Sequence, residues 1–428
     1  MCLAGAGRAA VAGGTSLTMS SRQTCAARDA ADALAPLRSL FAMECVDAAG
    51  IIYLDGNSLG VLPKATSSRL RHVAEVEWGE GLIRSWNTAG WITLSERVAA
   101  KIARVIGVDP SEVVVADSTS INLFKILHAA LAARKINRAG ILSEQTNFPT
   151  DVYIADTMAR QHGLELVLAD TTEIADRIDD RVAIVMLTHV NYRTGYLHDM
   201  RGLTDRAHAA GALMVWDLAH SVGAVPVDLR GADFAVGCGY KYLNGGPGAP
   251  AFAWANPKHI AWIADTDWRQ PLSGWLGHAS PFAFAPNYQP APGMSRFICG
   301  TPPVLSMAAL ECGVDTVLAA ERAGGIAAIR EKSIALTQLF IELVEERCAG
   351  HQLTLASPRG RLARQPGFVR APDPRLRDHA GVDRARGDRR LPRPRHSPVR
   401  VHPALHAIHR RMGCGRSAEI DTANWRMA

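Results

Sequence analysis

ALMVWDLAHSVGAVPVDLRGADFAVGCGYKYLNGGPG, residues 212–248, decides the fold. It holds two short apolar runs, ALMVWD (212–217) and FAVGCG (234–239), each of strand length and each ending where polar chemistry begins. Runs of the same kind recur outward from it: EVVVAD (112–117), AGILS (139–143), LELVLA (164–169), VAIVML (182–187) and APAFAWA (249–255). Between most of them lie segments of helical spacing, such as INLFKILHAALAA (121–133) and LTDRAHAAGA (203–212). Seven strand candidates alternating with helices predict an α/β protein with a mostly parallel seven-stranded sheet and helices on both faces. Ligands of such sheets sit at the carboxyl ends of strands. Residues 305–348 read as purely helical and are expected to open a second, smaller domain.

Composition bounds what the chain can be. Of its 428 residues, 48% are hydrophobic and 21% charged, the balance of a globular protein. No apolar run approaches the ~18–20 residues of a membrane span, so no membrane partner is expected. The eight cysteines include no C-x-x-C pair, so neither a disulfide framework nor a metal site is indicated and a cytoplasmic setting fits. Residues 1–18 are too weakly apolar for a signal peptide, and Met19 reads equally well as a start. The formal charge of +6 is unevenly placed. Residues 359–428 carry 17 Arg, no Lys and 6 acidic residues, net +11, which leaves −5 for the rest.

Three features fall at strand ends. Asp117, Ser118, Thr119 and Ser120 lie between a strand and a helix, and read either as an ordinary N-cap or as an anion site. Asp217 closes an apolar strand three residues before His220, either in a structural ion pair or facing a cationic ligand. Lys241 follows a strand and precedes a glycine-rich turn; it is either a surface lysine or a desolvated amine suited to Schiff-base chemistry. An anion-binding helix start, then Asp, then Lys is the chain order of a pyridoxal 5′-phosphate site.

At these residues the sequence resembles the kynureninases, fold-type I pyridoxal-phosphate enzymes related to class V aminotransferases. The motifs are YLDGNSLG (53–60), GLIRSWN (81–87), NFPTD (147–151), THVNYRTG (188–195), WDLAHSVGAVPVDL (216–229), YKYLNGGPG (240–248), SGWLGH (273–278) and GTPPVLSM (300–307). The resemblance spans roughly residues 50–358. It implies hydrolysis of L-kynurenine to anthranilate and L-alanine, in tryptophan breakdown, by a homodimer. It also implies roles. Lys241 would join the cofactor and shuttle the α-proton; Asp217 would pair with the pyridine nitrogen, with His220 close by. Phe148 would stack on the ring, Asp151 would lie at its polar edge, and Thr188 would line the ring pocket. Thr119, Ser120 and Tyr240 would contact the phosphate, with Tyr240 also a proton donor, and Trp275 and Thr301 would reach it from the neighbouring subunit. Relatives that prefer 3-hydroxykynurenine carry Asn at the position of Thr301.

One departure is large. The family has a C-terminal segment like ILRFGFTPLY, whose Arg binds the substrate carboxylate; this chain has none. From Val369 the text is Arg- and Pro-rich, with Pro at 372, 374, 392, 394, 398 and 403. Back-translated with GC-leaning codons and read one base later, HSPVRVHPALHAIHRRMGCG (396–415) can give ILRFGFTPLYTRFTDAWDA. Residues 377–395 can likewise give AIMQALIARGAIGDFRAPD. The tail therefore reads as an out-of-frame translation rather than a basic arm for nucleic acid.

The expected organisation is an N-terminal tail and lead-in helix (1–40), a cofactor-binding large domain (41–304), the start of a small domain (305–368) and an aberrant, disordered tail (369–428). Competing readings are a cysteine desulfurase-like enzyme, which would need a mobile catalytic Cys that neither Cys312 nor Cys348 resembles, and a non-catalytic cofactor-binding protein.

Overall fold

A computed structural model describes residues 21–134, 138–351, 353–358 and 369–370. Before the first strand come α1 (Arg22–Ala30), α2 (Glu44–Ala48), α3 (Lys64–His72), α4 (Ser85–Thr88) and α5 (Leu94–Ile106). The sheet and its helices follow as β1 (Val113–Val115), α6 (Thr119–Ala133), β2 (Gly140–Glu144), α7 (Pro149–Gln161), β3 (Glu165–Ala169), α8 (Ile174–Arg177), β4 (Val182–Thr188), α9 (Met200–Ala210), β5 (Leu213–Asp217), β6 (Phe234–Gly237), β7 (Phe252–Ala255) and α10 (Pro257–Asp265). Then come α11 (Val304–Leu318), α12 (Gly325–Arg347) and a two-residue pair, β8 (Thr354–Leu355) with β9 (Val369–Arg370).

All seven expected strands form one sheet in the order β1-β7-β6-β5-β4-β2-β3. Pairing is parallel from β6 through β3 and antiparallel on both sides of β7. The reason is the β6–β7 connection: residues 238–251 contain no crossover helix, so the chain must return in the opposite sense. Because β7 is antiparallel to both neighbours, β1 and β6 run the same way and end on the same edge.

Every residue of β4 is buried. Val185 and Leu187 face one core with Val98 and Ile102 of α5 and Trp216 of β5, while Ile184 and Met186 face the other with Leu123, Ile126 and Leu127 of α6. This two-sided burial is why the strands read as continuous apolar runs. Helix ends needed more than periodicity. The helix expected at 203–212 starts earlier, because Asp199 caps it by accepting the Gly202 N–H at 3.0 Å, and stops at Gly211, whose φ of +80° is left-handed.

Two boundaries are redrawn. Met307, Leu310, Val314 and Val317 of α11, expected to open a small domain, lie in the same core as α5 and β5, and we propose that α11 completes the large unit. We propose that the small domain begins with α12, after the left-handed Gly324 and Gly325. Val369 and Arg370, expected to be irregular, pair antiparallel with Leu355 and Thr354. The out-of-frame reading of the remaining tail falls on 371–428, outside the described residues, as does Met19. Among the described residues, no helix is long and apolar enough to cross a membrane.

Beneath β4 a fully buried Glu144 ties the sheet edge together. Its carboxylate takes His198 Nε2 at 3.1 Å, Asn191 Nδ2 at 3.0 Å, Thr146 Oγ1 at 2.8 Å and the Thr171 hydroxyl. Burial pushes the carboxyl up, but His198 and the two hydroxyls outweigh it and bring it down to about 2. A depressed carboxylate contributes stability above its unfolded pKa near 4.5 and loses it as pH falls through about 2. Glu144→Gln should therefore cost about 3 kcal/mol at pH 7 and progressively less below pH 4. Urea midpoints of both proteins at pH 7 and pH 3 check this; an equal gap at the two values would contradict it.

Candidate active site

The carboxyl ends of β4, β5 and β6 place the chemistry. Asp217 is the last residue of β5 and is buried; its Oδ1 accepts the Ala219 N–H at 2.8 Å. Thr188, the last residue of β4, lies 3.5 Å from Asp217 Oδ2 and donates to Asn147 Oδ1. Lys241 sits on the loop after β6, and its buried Nζ is hydrogen-bonded to His220 Nε2 at 2.7 Å. The same amine lies 5.5 Å from the Tyr240 ring centroid and 5.9 Å from that of Phe148.

Phe148 and Asp151 come from the start of α7. Phe148 is 39% exposed, so its ring beside Lys241 is an open platform and not core packing. Asp151 is buried in the first turn, and its Oδ2 has no hydrogen-bond partner. Burial, and then the Asp217 charge, hold the Asp151 carboxyl well above its ordinary range. Burial likewise raises Asp217, opposed by the Ala219 N–H and by Lys241. Two buried carboxyls side by side, one with an unmet oxygen, call for a cationic N–H donor between strand end and helix. A protonated pyridine ring meets that requirement, with Phe148 as its stacking face and Lys241 as its amine.

Tyr240 is half-buried on the same loop. Burial, with smaller contributions from Cys238 and Asp217, pushes its phenol up to about 12, so it keeps its proton at neutral pH. Thr119 and Ser120 open α6 on the same sheet edge, behind the N-cap Ser118, whose Oγ accepts the Ile121 N–H at 3.4 Å. Trp275 and Thr301 have their observed surroundings elsewhere. Trp275 packs edge-on against Trp86 at 5.7 Å and Phe282 at 5.9 Å, and Thr301 is exposed. Among the described residues, no hydrogen bond or ring contact joins either to the Lys241 cluster.

Sequence reasoning passed over three residues. Asn147 accepts from both Thr188 and the Phe148 N–H, setting the ring platform against β4. Tyr192 lies between the two arms of the site, edge-on to Phe148 at 5.3 Å and stacked with His220 at 6.2 Å. Both stand inside quoted motifs, NFPTD and THVNYRTG, which was their only signal. The third, Lys125, is taken up below.

The lysine loop itself is held from both sides. Gly60 donates its N–H to the Tyr240 carbonyl at 2.9 Å, and a Cβ there would meet the Lys241 carbonyl at 2.3 Å. From the other side, a Cβ on Gly313 of α11 would meet the Leu243 carbonyl at 2.3 Å. Asn244, left-handed at φ +55°, closes the loop by donating to Thr316 Oγ1 at 3.0 Å.

Fold and site together define a pyridoxal-phosphate protein of fold-type I, and the model of the family described as aminotransferase class V matches residues 52–357. Among solved structures, an apo cysteine desulfurase from Thermococcus onnurineus NA1 superposes with TM-score 0.62 at 20% identity, covering 79% of this chain and 82% of that one. The cysteine desulfurase CsdA from Escherichia coli gives 0.63 at 17%, with the same coverage; these likenesses concern the fold. Curated sequences are more specific. A kynureninase from Pseudomonas fluorescens is 54% identical over 349 residues, 80% of this chain and 81% of the relative, and one from Burkholderia pseudomallei is 51% identical over the same length and shares. The chain belongs to the kynureninase family.

Proposed function

We propose that the protein hydrolyses L-kynurenine to anthranilate and L-alanine with pyridoxal 5′-phosphate, as a cytoplasmic homodimer. The observation that carries the reading is the Lys241–His220 hydrogen bond of 2.7 Å set beside buried Asp217 and Asp151 and the open face of Phe148, in a chain 54% identical to a kynureninase.

When bound, the cofactor would supply an electron sink for the reacting substrate carbon. The chain's residues do the rest. Asp217 keeps the pyridine nitrogen protonated, with Asp151 at the ring's polar edge. Lys241 Nζ moves the proton at the substrate α-carbon, and His220 holds that amine in place. Tyr240 retains a phenolic proton to hand to the departing alanine fragment. Phe148 excludes water from one ring face. Thr119 and Ser120 offer hydroxyls and first-turn N–H groups to the phosphate. Trp275 and Thr301 would serve the partner's site in the dimer.

Formation of fluorescent anthranilate from L-kynurenine tests the activity. A cofactor-loaded protein with its C-terminal frame restored that makes none would overturn it. A desulfurase reading is disfavoured because Cys312 sits on α11 with its thiol pushed up by burial and by Asp315 and Glu311, which leaves a poor nucleophile. Substrate choice follows from Thr301, whose hydroxyl cannot present an amide to a ring 3-hydroxyl. Unsubstituted L-kynurenine should have the higher kcat/KM, by about tenfold for one missing hydrogen bond; equal or better turnover of the 3-hydroxy substrate would contradict this.

A further inference from the structure

Lys125 is fully buried in α6, on a helix otherwise packed with Leu123, Ile126 and Leu127. Lysines are rarely buried without a compensating partner. Its Nζ donates to Asp117 Oδ2 at 2.7 Å and to the Phe297 carbonyl at 2.5 Å, and lies 3.9 Å from Cys299 Sγ. Asp117 is itself unusual. It is a non-glycine residue at φ +49°, a conformation that costs about 1 kcal/mol or more, and it stands two residues before the α6 N-terminus. Its side chain is 30% exposed, so it is the end of the pair that can reach solvent and the site.

The charges explain the arrangement. A free carboxylate beside a phosphate seat repels the dianion and opposes the helix N-terminus that attracts it. Lys125 answers this from the protein side, where it binds the carboxylate and neutralises it without competing for the phosphate. The Ala251 N–H, bonded to the Asp117 carbonyl at 2.9 Å, fixes the turn from the β7 side. The bond from Lys125 Nζ to the Phe297 carbonyl also anchors the segment that leads to Thr301.

We propose that Lys125 is a positioning residue that clamps and neutralises Asp117, and so sets the preference of this site for a phosphorylated cofactor. The proposal rests on Thr119 and Ser120 being the phosphate seat. The test compares pyridoxal 5′-phosphate with pyridoxal, which has the same ring and aldehyde but no phosphate. Binding of each is titrated by visible absorbance on the full chain.

Lys125→Met should lower affinity for pyridoxal 5′-phosphate at least about tenfold while leaving pyridoxal within about twofold. Lys125→Met/Asp117→Asn, which removes the unanswered charge, should recover most of the loss. A purely structural role would move both ligands together and would not be rescued by a second substitution. Parallel losses, an unchanged ratio or a failed rescue would overturn the proposal. If Lys125→Met does not fold, the double variant, with no buried charge left unpaired, must still bind pyridoxal 5′-phosphate in preference to pyridoxal by close to the parent ratio; a collapsed ratio there would also overturn it. Thr119→Ala separates the two levels. If it leaves the ratio untouched, the phosphate seat is misplaced; if it lowers the ratio while Lys125→Met does not, only the clamp is wrong.

Discussion

The 428-residue chain should turn over L-kynurenine at least about ten- to a hundredfold more slowly than the same protein with its reading frame shifted near codon 368, the change expected to give a segment like ILRFGFTPLY. The first cause is local. A bidentate arginine–carboxylate pair contributes roughly 1.5–3 kcal/mol, and each 1.4 kcal/mol is a factor of ten. None of the 17 Arg in residues 359–428 falls in a segment like the one the family uses. The second cause is packing. Ile334 and Leu336 of α12 are 45% and 53% exposed, apolar surface that a properly formed small domain would be expected to cover. The family match, ending at residue 357, stops about eleven residues before the proposed break. Anthranilate fluorescence on both proteins, with intact mass spectrometry to verify each C-terminus, checks the result. Full activity from the uncorrected chain would show that the frame argument is wrong.

The second large effect is at Lys241. Lys241→Ala should abolish the visible absorption band of the bound cofactor and, in the frame-restored protein, reduce kcat by about 10²–10⁴-fold, the range of a lost acid–base group. The fold should survive, because Nζ bonds to His220 and otherwise faces the Tyr240 and Phe148 rings. Absorbance, turnover and far-ultraviolet circular dichroism on one preparation separate these readings. A retained band in the folded variant would remove Lys241 from its role.

How much of this was legible in the sequence depends on the range of the interaction. The strands were, because a strand buried on both faces must be apolar throughout, as β4 is. Asp217 and Lys241 stood out only in combination: each alone has an ordinary structural reading, and it was their chain order after the helix start at 117–120 that pointed to one site. The start of α9 was not, since it depends on one cap at Asp199, and the membership of α11 was not, since periodicity shows that a face is buried but not against what. Lys125 was hidden for the opposite reason: a lysine in an apolar helix ordinarily reads as snorkelling to solvent. Only the three-dimensional contact with Asp117 and Phe297 shows an inward charge. The roles expected of Trp275 and Thr301 came from family resemblance alone, and among the described residues neither makes a hydrogen bond or ring contact with the Lys241 cluster.

The glycines that hold the lysine loop from both sides also bear on how the protein is made. Synthesis runs from the N-terminus, and a ribosome-bound chain folds what has already emerged. Gly60 is available early, but the loop's other support, Gly313 on α11, is among the last parts of the large unit to leave the exit tunnel. A nascent chain released or stalled before α11 would carry Asp217, His220 and Lys241 on a nearly complete sheet, yet with the lysine loop backed on one side only. Firm seating of the lysine loop, and with it of the cofactor, is therefore expected only once α11 has been made, so that truncated products would lack a reactive ligand.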